Sequence, residues 1–306
     1  MQEKKESVVP EHLVSSRLDQ VLVSLFPSFS RTFIQRCIEE GRVLVNGQQQ
    51  KKRYLAEQGD IVTLFVPPPE PSPLTPEHMS FSILFDDEDL FAINKPPGLV
   101  VHPAPGNRSG TFVNGFLSYI QNSGLDDPIR PGIIHRLDKD TSGVLLAAKN
   151  REALYAVARQ FHDRKVGKEY LAIVLGEFTG YRNVEGPIAR DPNMRKRMAI
   201  LDSGKEARTE VFSVAAKDGF SLVRAVPYTG RTHQVRVHLR SIDLSILGDD
   251  LYGNKGINSK WGVRQMLHCS SLTFCHPRTG ELVRLEAPLL PDMESVCTKL
   301  KFYSAP

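Results

Sequence analysis

His135-Arg136-Leu137-Asp138-Lys139-Asp140-Thr141-Ser142-Gly143 joins the short apolar segment Gly132-Ile133-Ile134 to the run Val144-Leu145-Leu146-Ala147-Ala148. The second run is apolar throughout and bounded by Gly143 and Lys149-Asn150, the pattern of a strand buried on both faces. Asp138 therefore stands on a loop that leads into a buried strand, with Arg136 and small hydroxyl residues beside it. That setting suits a carboxylate held in a fixed position.

The loop's local spacing permits other chemistries, and the rest of the chain tests them. Asp138-x-Asp140-x-Ser142-Gly143 opens like an EF-hand calcium loop, but Lys149 occupies the twelfth position, where a bidentate acid is needed. The exit is a strand pattern where that motif needs a helix. No glycine-rich phosphate cradle of Walker or Rossmann type occurs, and the His-x-Glu and Pro-Cys-x-x-Cys of a zinc deaminase are missing. His268-Cys269 and Cys275-His276 sit on strand-like sequence, where adjacent residues point to opposite faces, so packing is the expected role and no metal is assigned.

Outward from the loop, β-rich segments at 90–94, 144–148, 170–175 and 220–226 are interrupted by one clear helix. Asn150 caps it, Ala153, Leu154, Val157, Ala158 and Phe161 supply its apolar stripe, and Arg164 and Lys165 close it. Strands with few helices predict an α+β domain around a mixed, largely antiparallel sheet. Residues 232–242 fit two patterns. Val235, Val237 and Leu239 alternate like a strand, whereas Val235, Leu239 and Ile242 fit a helix.

Toward the N-terminus, Pro67-Pro68-Pro69-Glu70-Pro71-Ser72-Pro73-Leu74-Thr75-Pro76 cannot sustain helix or ladder hydrogen bonds and predicts a stiff linker. The expected organisation is a small module at 1–66, with its core at about 14–66, a linker at 67–79 and a larger domain at 80–306. In the small module Ser16 is expected to cap a helix, with Asp19 at N3 and Leu18, Val21, Leu22 and Leu25 on its apolar face. A second helix from Ser30 places Phe33, Ile34, Cys37 and Ile38 on one face and ends at Gly41. Val43-Leu44-Val45 enters an Asn46-Gly47 hairpin turn, and 61–66 supplies a further strand.

The chain has 306 residues, a net charge of +4 and four cysteines at irregular spacings. Its length supports two domains with a core able to hold a preformed site. The basic balance, with pI near 8.8, suits a polyanionic partner. With no disulfide framework, no apolar leader and no apolar stretch of membrane-spanning length, the expectation is a soluble, cytoplasmic protein.

Two resemblances follow from these motifs. Arg17-Leu18-Asp19, Ser30-Arg31 and Gly41-Arg42-Val43-Leu44-Val45-Asn46-Gly47 resemble the S4 RNA-binding domain, which implies RNA contacts from Arg31, Arg36, Lys51, Lys52 and Arg53. The nine-residue loop resembles the signature of RluA-type pseudouridine synthases, since the related RsuA type carries Gly-Arg-Leu-Asp and a Thr-Glu-Gly variant instead. Further matches are Asn94-Lys95-Pro96-Pro97-Gly98-Leu99-Val100-Val101-His102-Pro103, Lys168-Glu169-Tyr170-Leu171-Ala172 and Gly230-Arg231-Thr232-His233-Gln234-Val235-Arg236-Val237-His238-Leu239. Gly248-Asp249, Leu251-Tyr252-Gly253 and His276-Pro277-Arg278-Thr279-Gly280-Glu281 complete the pattern.

The resemblance implies isomerisation of uridine to pseudouridine in RNA, a reaction that adds no atoms, involves no redox change and requires no cofactor. It implies Asp138 as the catalytic carboxylate, Tyr170 as the residue stacking on the flipped base, and Arg231 as the cation paired with Asp138, placed just before a helix over 232–242. Arg136 is implied to fill the gap the base leaves. Lys95, His233 and Arg236 are further candidates for RNA contact, and Arg195-Lys196-Arg197 and Arg164-Lys165 with Lys168 are placed to track phosphates. Val101-His102-Pro103-Ala104-Pro105-Gly106-Asn107, Gly110-Thr111 and Asn114, with the S4 module and the linker, are most similar to the RluD-type branch. That implies large-subunit ribosomal RNA as the partner of a monomeric enzyme, ahead of other ribosomal sites or transfer RNA; Ala104-Pro105-Gly106 departs from that branch's usual Gly-x-Gly. The competing expectation is a catalytically silent RNA-binding assembly factor, against which the intact Asp138 and arginine motif stand.

Overall fold

The computed structural model describes residues 3–27, 29, 31–67, 74–103, 107–120 and 131–302, and these fall into two compact units divided at Pro73 and Leu74. Residues 68–73 of the expected linker, the Ser30 start of the second helix and Ala104-Pro105-Gly106 lie outside the described residues.

The first unit carries β1 (Glu3–Val8), α1 (Leu18–Leu25), α2 (Arg31–Glu39), β2 (Val43–Val45), β3 (Gln48–Gln49) and β4 (Ile61–Val66). Its strands form an antiparallel sheet in the order β1-β4-β2-β3. Leu18, Val21 and Leu22 of α1 and Ile34, Cys37 and Ile38 of α2 bury the apolar stripes that their spacing predicts, against Val43, Val45, Val62 and Leu64. Asn46 and Gly47 both take positive φ, as an Asn-Gly hairpin turn requires. One local expectation fails. The N-cap of α1 is Arg17, with no side-chain cap, and Asp19 does not serve in a capping box with Ser16. Asp19 is fully buried and accepts from Arg17 Nε at 3.0 Å, Arg31 Nη2 at 2.9 Å and Gln35 Nε2 at 2.8 Å, because a buried carboxylate needs charged or polar donors from every side.

The second unit runs β5 (Ile83–Asp86), β6 (Leu90–Lys95), α3 (Phe112–Ile120), β7 (Ser142–Ala148), α4 (Arg151–His162), β8 (Gly167–Leu175), β9 (Tyr181–Glu185), β10 (Ile188–Arg190), β11 (Met198–Ile200), β12 (Arg208–Lys217), β13 (Phe220–Pro227), α5 (Gln234–Ser241), α6 (Lys255–Trp261), β14 (Leu267–Cys275), β15 (Leu282–Glu286) and α7 (Pro291–Lys299). The main sheet follows the order β5-β6-β7-β14-β8-β13-β12-β9, with β15 also on β14. All its pairings are antiparallel except β7 with β14, so the sheet is mixed and largely antiparallel. Asn150 caps α4 by accepting from Ala153 N at 2.9 Å. Residues 234–241 are helical, which resolves the ambiguous 232–242 pattern in favour of the helix.

The parallel contact of β7 with β14 positions the site. His268 and Cys269 pair with Ser142 and Gly143, while on the other side Cys269 pairs with Tyr170. Gly143 has φ +107°, and a Cβ there would lie 2.1 Å from the Cys269 carbonyl oxygen, so the approach of the two strands requires glycine. A register shift in β14 between Cys269 and Ser271 falls opposite Tyr170 and Glu169, a local kink beside the site. Tyr170 packs against the two larger apolar cores of this unit. Among the described residues no helix is long and apolar enough to cross a membrane.

Candidate active site

A cleft of about 360 Å³ opens over the end of β7, lined by Arg136, Asp138, Lys168, Tyr170, Arg231 and Arg236 among others. The volume lies in the range of small-ligand sites. Asp138 lies on the loop that the sequence places before a buried strand, and each residue from 138 to 142 is tied to another segment of the unit. Asp138 Oδ2 accepts from Arg236 Nη1 at 2.8 Å. The Lys139 carbonyl accepts from Lys95 Nζ at 2.8 Å and from Gly98 N at 3.0 Å. Arg264 Nη1 reaches the Asp140 carbonyl at 3.3 Å, Gln265 donates to Thr141 Oγ1 at 2.7 Å, and Ser142 Oγ meets His268 Nδ1 at 2.9 Å. A loop anchored at successive residues holds its carboxylate without further ordering when substrate arrives.

The cation beside Asp138 differs from the expected one. Arg231 was to pair with the carboxylate; its Nε instead donates to the Glu206 carbonyl at 3.1 Å, and Arg236 makes the ion pair. The physical reason is the direction of α5. Arg231 precedes the helix, whereas Arg236 projects from its buried face, where its Nε and Nη2 form a fork on Asp249 at 2.7 and 2.9 Å and leave Nη1 for Asp138. Asp249 is buried and also accepts from the backbone N–H of Leu251 and Tyr252, each at 2.9 Å. Burial opposes the Arg236 charge, but the Asp249 and Asp138 carboxylates raise its pKa above the ordinary value, and the Tyr252 ring lies 5.0 Å beneath it.

Lys95 also departs from expectation. Proposed from the sequence as an RNA contact, it is fully buried, and its ammonium donates to the carbonyls of Pro96, Leu99 and Lys139 at 2.8, 2.9 and 2.8 Å. All three donors are spent, so it fixes two loops and presents nothing to a ligand. Burial pulls its pKa down to about 7, helped by the Arg264 charge and opposed by the Asp140 and Asp138 carboxylates. His233 caps α5 in the left-handed conformation with φ 57°, its Nδ1 2.9 Å from the Tyr252 hydroxyl and its Nε2 3.9 Å from Asp138 Oδ2. Burial lowers its pKa, with the Asp138 charge pulling the other way.

Tyr170 lies on β8 with its phenol pushed well above its ordinary value by burial and by the Cys269 thiol beside it. It offers the cleft a neutral aromatic face. His135 is neutral as well, since its Nε2 accepts from Leu146 N at 2.9 Å and burial pushes its pKa down to about 3. Arg136 lines the cleft and is exposed, whereas in the first unit Arg31 is already engaged with Asp19. His268 bonds Ser142 Oγ and the Ala287 carbonyl, and His276 bonds Asp87, so both imidazoles flagged by the His-Cys and Cys-His pairs serve packing and anchoring. Sequence reasoning missed the roles of Asp249, Arg264 and Gln265. Asp249 stood within a quoted motif, but Arg264 and Gln265 carry no local signal, because their partners lie 124 positions away.

Comparison with known proteins finds relatives of both units. Residues 89–241 match the family model described as RNA pseudouridylate synthase, and residues 16–62 match the S4 domain. An RNA pseudouridine synthase of Bacillus subtilis, YlyB, is 40% identical over 95% of this chain and 96% of its own length. A protein of Xanthomonas campestris named ribosomal large subunit pseudouridine synthase D is 35% identical over 98% of this chain and 94% of its own. The solved structure of human RNA pseudouridylate synthase domain containing 1 superposes with a TM-score of 0.58 at 25% identity, covering 74% of this chain and 97% of that one.

Proposed function

Because the chain belongs to the RNA pseudouridylate synthase family and carries an S4 domain, we propose that it converts uridines of large-subunit ribosomal RNA to pseudouridine with Asp138 as its catalytic carboxylate. The observation that carries this reading is the Asp138–Arg236–Asp249 array, which holds a carboxylate in place in a cleft faced by Tyr170. Relatives named ribosomal large subunit pseudouridine synthase D, 35% and 37% identical over almost the whole chain, support the substrate.

The reaction breaks the bond from C1′ to N1, turns the uracil and forms the bond from C1′ to C5. The proton on C5 is lost and N1 gains one, so the sum is an isomerisation. A carboxylate held by one nitrogen of a fixed guanidinium acts on the ribose or the base with its second oxygen available. The neutral ring of Tyr170 stacks on the extruded base without barring its rotation. Arg136, exposed beside Asp138, occupies the space that the base vacates. The S4 unit supplies RNA affinity.

The test is Asp138→Asn, assayed on ribosomal RNA from cells lacking this gene product. Retained RNA binding with no pseudouridine is the expected result, and full activity of the variant refutes the catalytic assignment. Mapping pseudouridine across total RNA from the same cells identifies the substrate.

A further inference from the structure

We propose that Lys168 and Arg231 form an anion seat in the active-site cleft that receives a phosphodiester of the RNA at the nucleotide being isomerised. The proposal rests on the reading of this cleft as the site of uridine isomerisation. Lys168 and Tyr170 are two positions apart on β8, so both side chains leave the same face of the strand and line the cleft. The Lys168 ammonium donates to the Thr229 carbonyl at 3.1 Å and lies 6.0 Å from the Phe161 ring centroid. Among the described residues no carboxylate lies within ion-pair distance of it, and the titratable neighbours that act on it are the Cys269 thiol and the like charge of Arg231.

The charge inventory of the cleft is lopsided. Its lining contains the cations Arg136, Lys168, Arg231 and Arg236 and the single carboxylate Asp138. Arg236 already faces two carboxylates, Asp138 and Asp249. Lys168 and Arg231 therefore both line the cleft, close enough for one charge to act on the other, with no carboxylate in ion-pair distance of either among the described residues, where the Arg231 side chain is held through its Nε on a backbone carbonyl. Keeping an ammonium largely out of water with one neutral acceptor costs free energy that an incoming anion recovers. Uracil is neutral. The anion that enters with an extruded nucleotide is its flanking phosphate.

Burial lowers the Lys168 pKa to about 8, so the cation is present below that pH and lost above it. The groups facing it are Phe161 and the exposed His162 from α4, His135 from the loop before Asp138, Cys269 from β14, Tyr170 on its own strand, and Thr229 and Arg231 from the segment before α5. Burial keeps Cys269 protonated, with a pKa raised to about 12. Lys168→Arg separates the lysine from all of them, because its charge does not titrate.

The experiment follows pseudouridine formation by the full chain on total RNA from cells lacking the gene product, at whichever uridine is modified. Lys168→Met is expected to raise the half-saturating RNA concentration about tenfold, lower the saturating rate by no more than about threefold, and reduce the slope of log affinity against log salt by about 0.7 to 1. Half-saturation of the wild type is expected to rise from about pH 7 to about pH 9, and Lys168→Arg to remove that rise. Arg231→Met is expected to reduce the salt slope in the same way, and it carries the test with Lys168→Arg if Lys168→Met fails to fold. An unchanged salt slope with a tenfold lower saturating rate overturns the proposal in favour of an acid–base role on the uracil. Retention of the wild-type pH dependence by Lys168→Arg overturns it as well. If the modified uridine lies outside large-subunit ribosomal RNA, the substrate reading fails while these ratios still decide the role of the lysine.

Discussion

Replacing Asp249 with asparagine tests whether the position of Arg236, beyond its charge, is what the carboxylate needs. Asp249 Oδ2 accepts from Arg236 Nε, and Oδ1 accepts from Arg236 Nη2 and from the backbone N–H of Leu251 and Tyr252. An asparagine that keeps its oxygen toward Nη2 and the two backbone donors turns its NH₂ onto Arg236 Nε, donor against donor. The buried guanidinium then keeps Asp138 as its sole carboxylate partner, which is exposed to a fifth of its side-chain surface. Breaking one partner of a buried ion pair costs about 3–5 kcal/mol, of which the shape-conserving amide retains a part, so about 3 kcal/mol is expected. In a unit of this size that lowers the melting temperature by roughly 6–12 °C. Release of the fork also weakens the charge-assisted bond from Nη1 to Asp138, about 1.5–3 kcal/mol, or roughly 10- to 150-fold in rate. The assay is single-turnover pseudouridine formation at saturating RNA alongside thermal melting, with half-saturation little changed because Asp249 lies beneath the cleft. A variant that melts and turns over like the wild type refutes the positioning role.

Gly143→Ala is expected to cost about 3 kcal/mol or more, since its Cβ overlaps the Cys269 carbonyl and φ is +107°; a melting temperature within 2 °C of wild type by about the same scale would contradict the strand approach. Lys95→Met removes the side-chain donor of the Pro96 and Leu99 carbonyls and leaves the Lys139 carbonyl with Gly98 N alone, and is expected to cost about 2–4 kcal/mol. Its activity should fall in the saturating rate and not in RNA affinity, and a pure affinity loss would restore Lys95 as an RNA contact. In the first unit, burial raises the Asp19 pKa, but hydrogen bonds from Gln35, Arg31 and Arg17 outweigh it and hold the carboxyl below its ordinary value. The unfolded chain therefore binds more protons in the acid range, and the stability Asp19 contributes is present above its unfolded pKa and lost as pH falls toward the folded one. Hydrogen exchange of the α1 and α2 amides, corrected for intrinsic rates, should show this acid loss in the full chain and a flatter profile in Asp19→Asn; identical profiles would contradict it.

Local chemistry was readable in the sequence wherever it depends on neighbours along the chain. The apolar run at 144–148, the Asn150 cap, the Asn46-Gly47 turn and the stripes of α1 and α2 follow from residue type and period, because backbone geometry places such residues within reach of one another. Asp138 was legible for the same reason, as one carboxylate on a loop entering a buried strand. Its environment was not. Arg231 and Arg236 are both cations in one motif, and only the emergence of α5 from its turn decides that Arg236 faces Asp138 while Arg231 turns to the Glu206 carbonyl. Lys95 reads as a basic residue in sequence and becomes an internal clamp because β6 delivers it beneath two loops whose carbonyls converge on it. Arg264, Gln265 and His268 reach the Asp138 loop from more than a hundred positions away, and Asp249 acts on it through Arg236, by strand pairing and helix packing that no local spacing encodes. The sequence by itself determined which carboxylate stands on the loop that enters the buried strand. The tertiary structure decided which cation it faces and which cations of its cleft have no carboxylate partner among the described residues, since electrostatic pairing depends on distances through space.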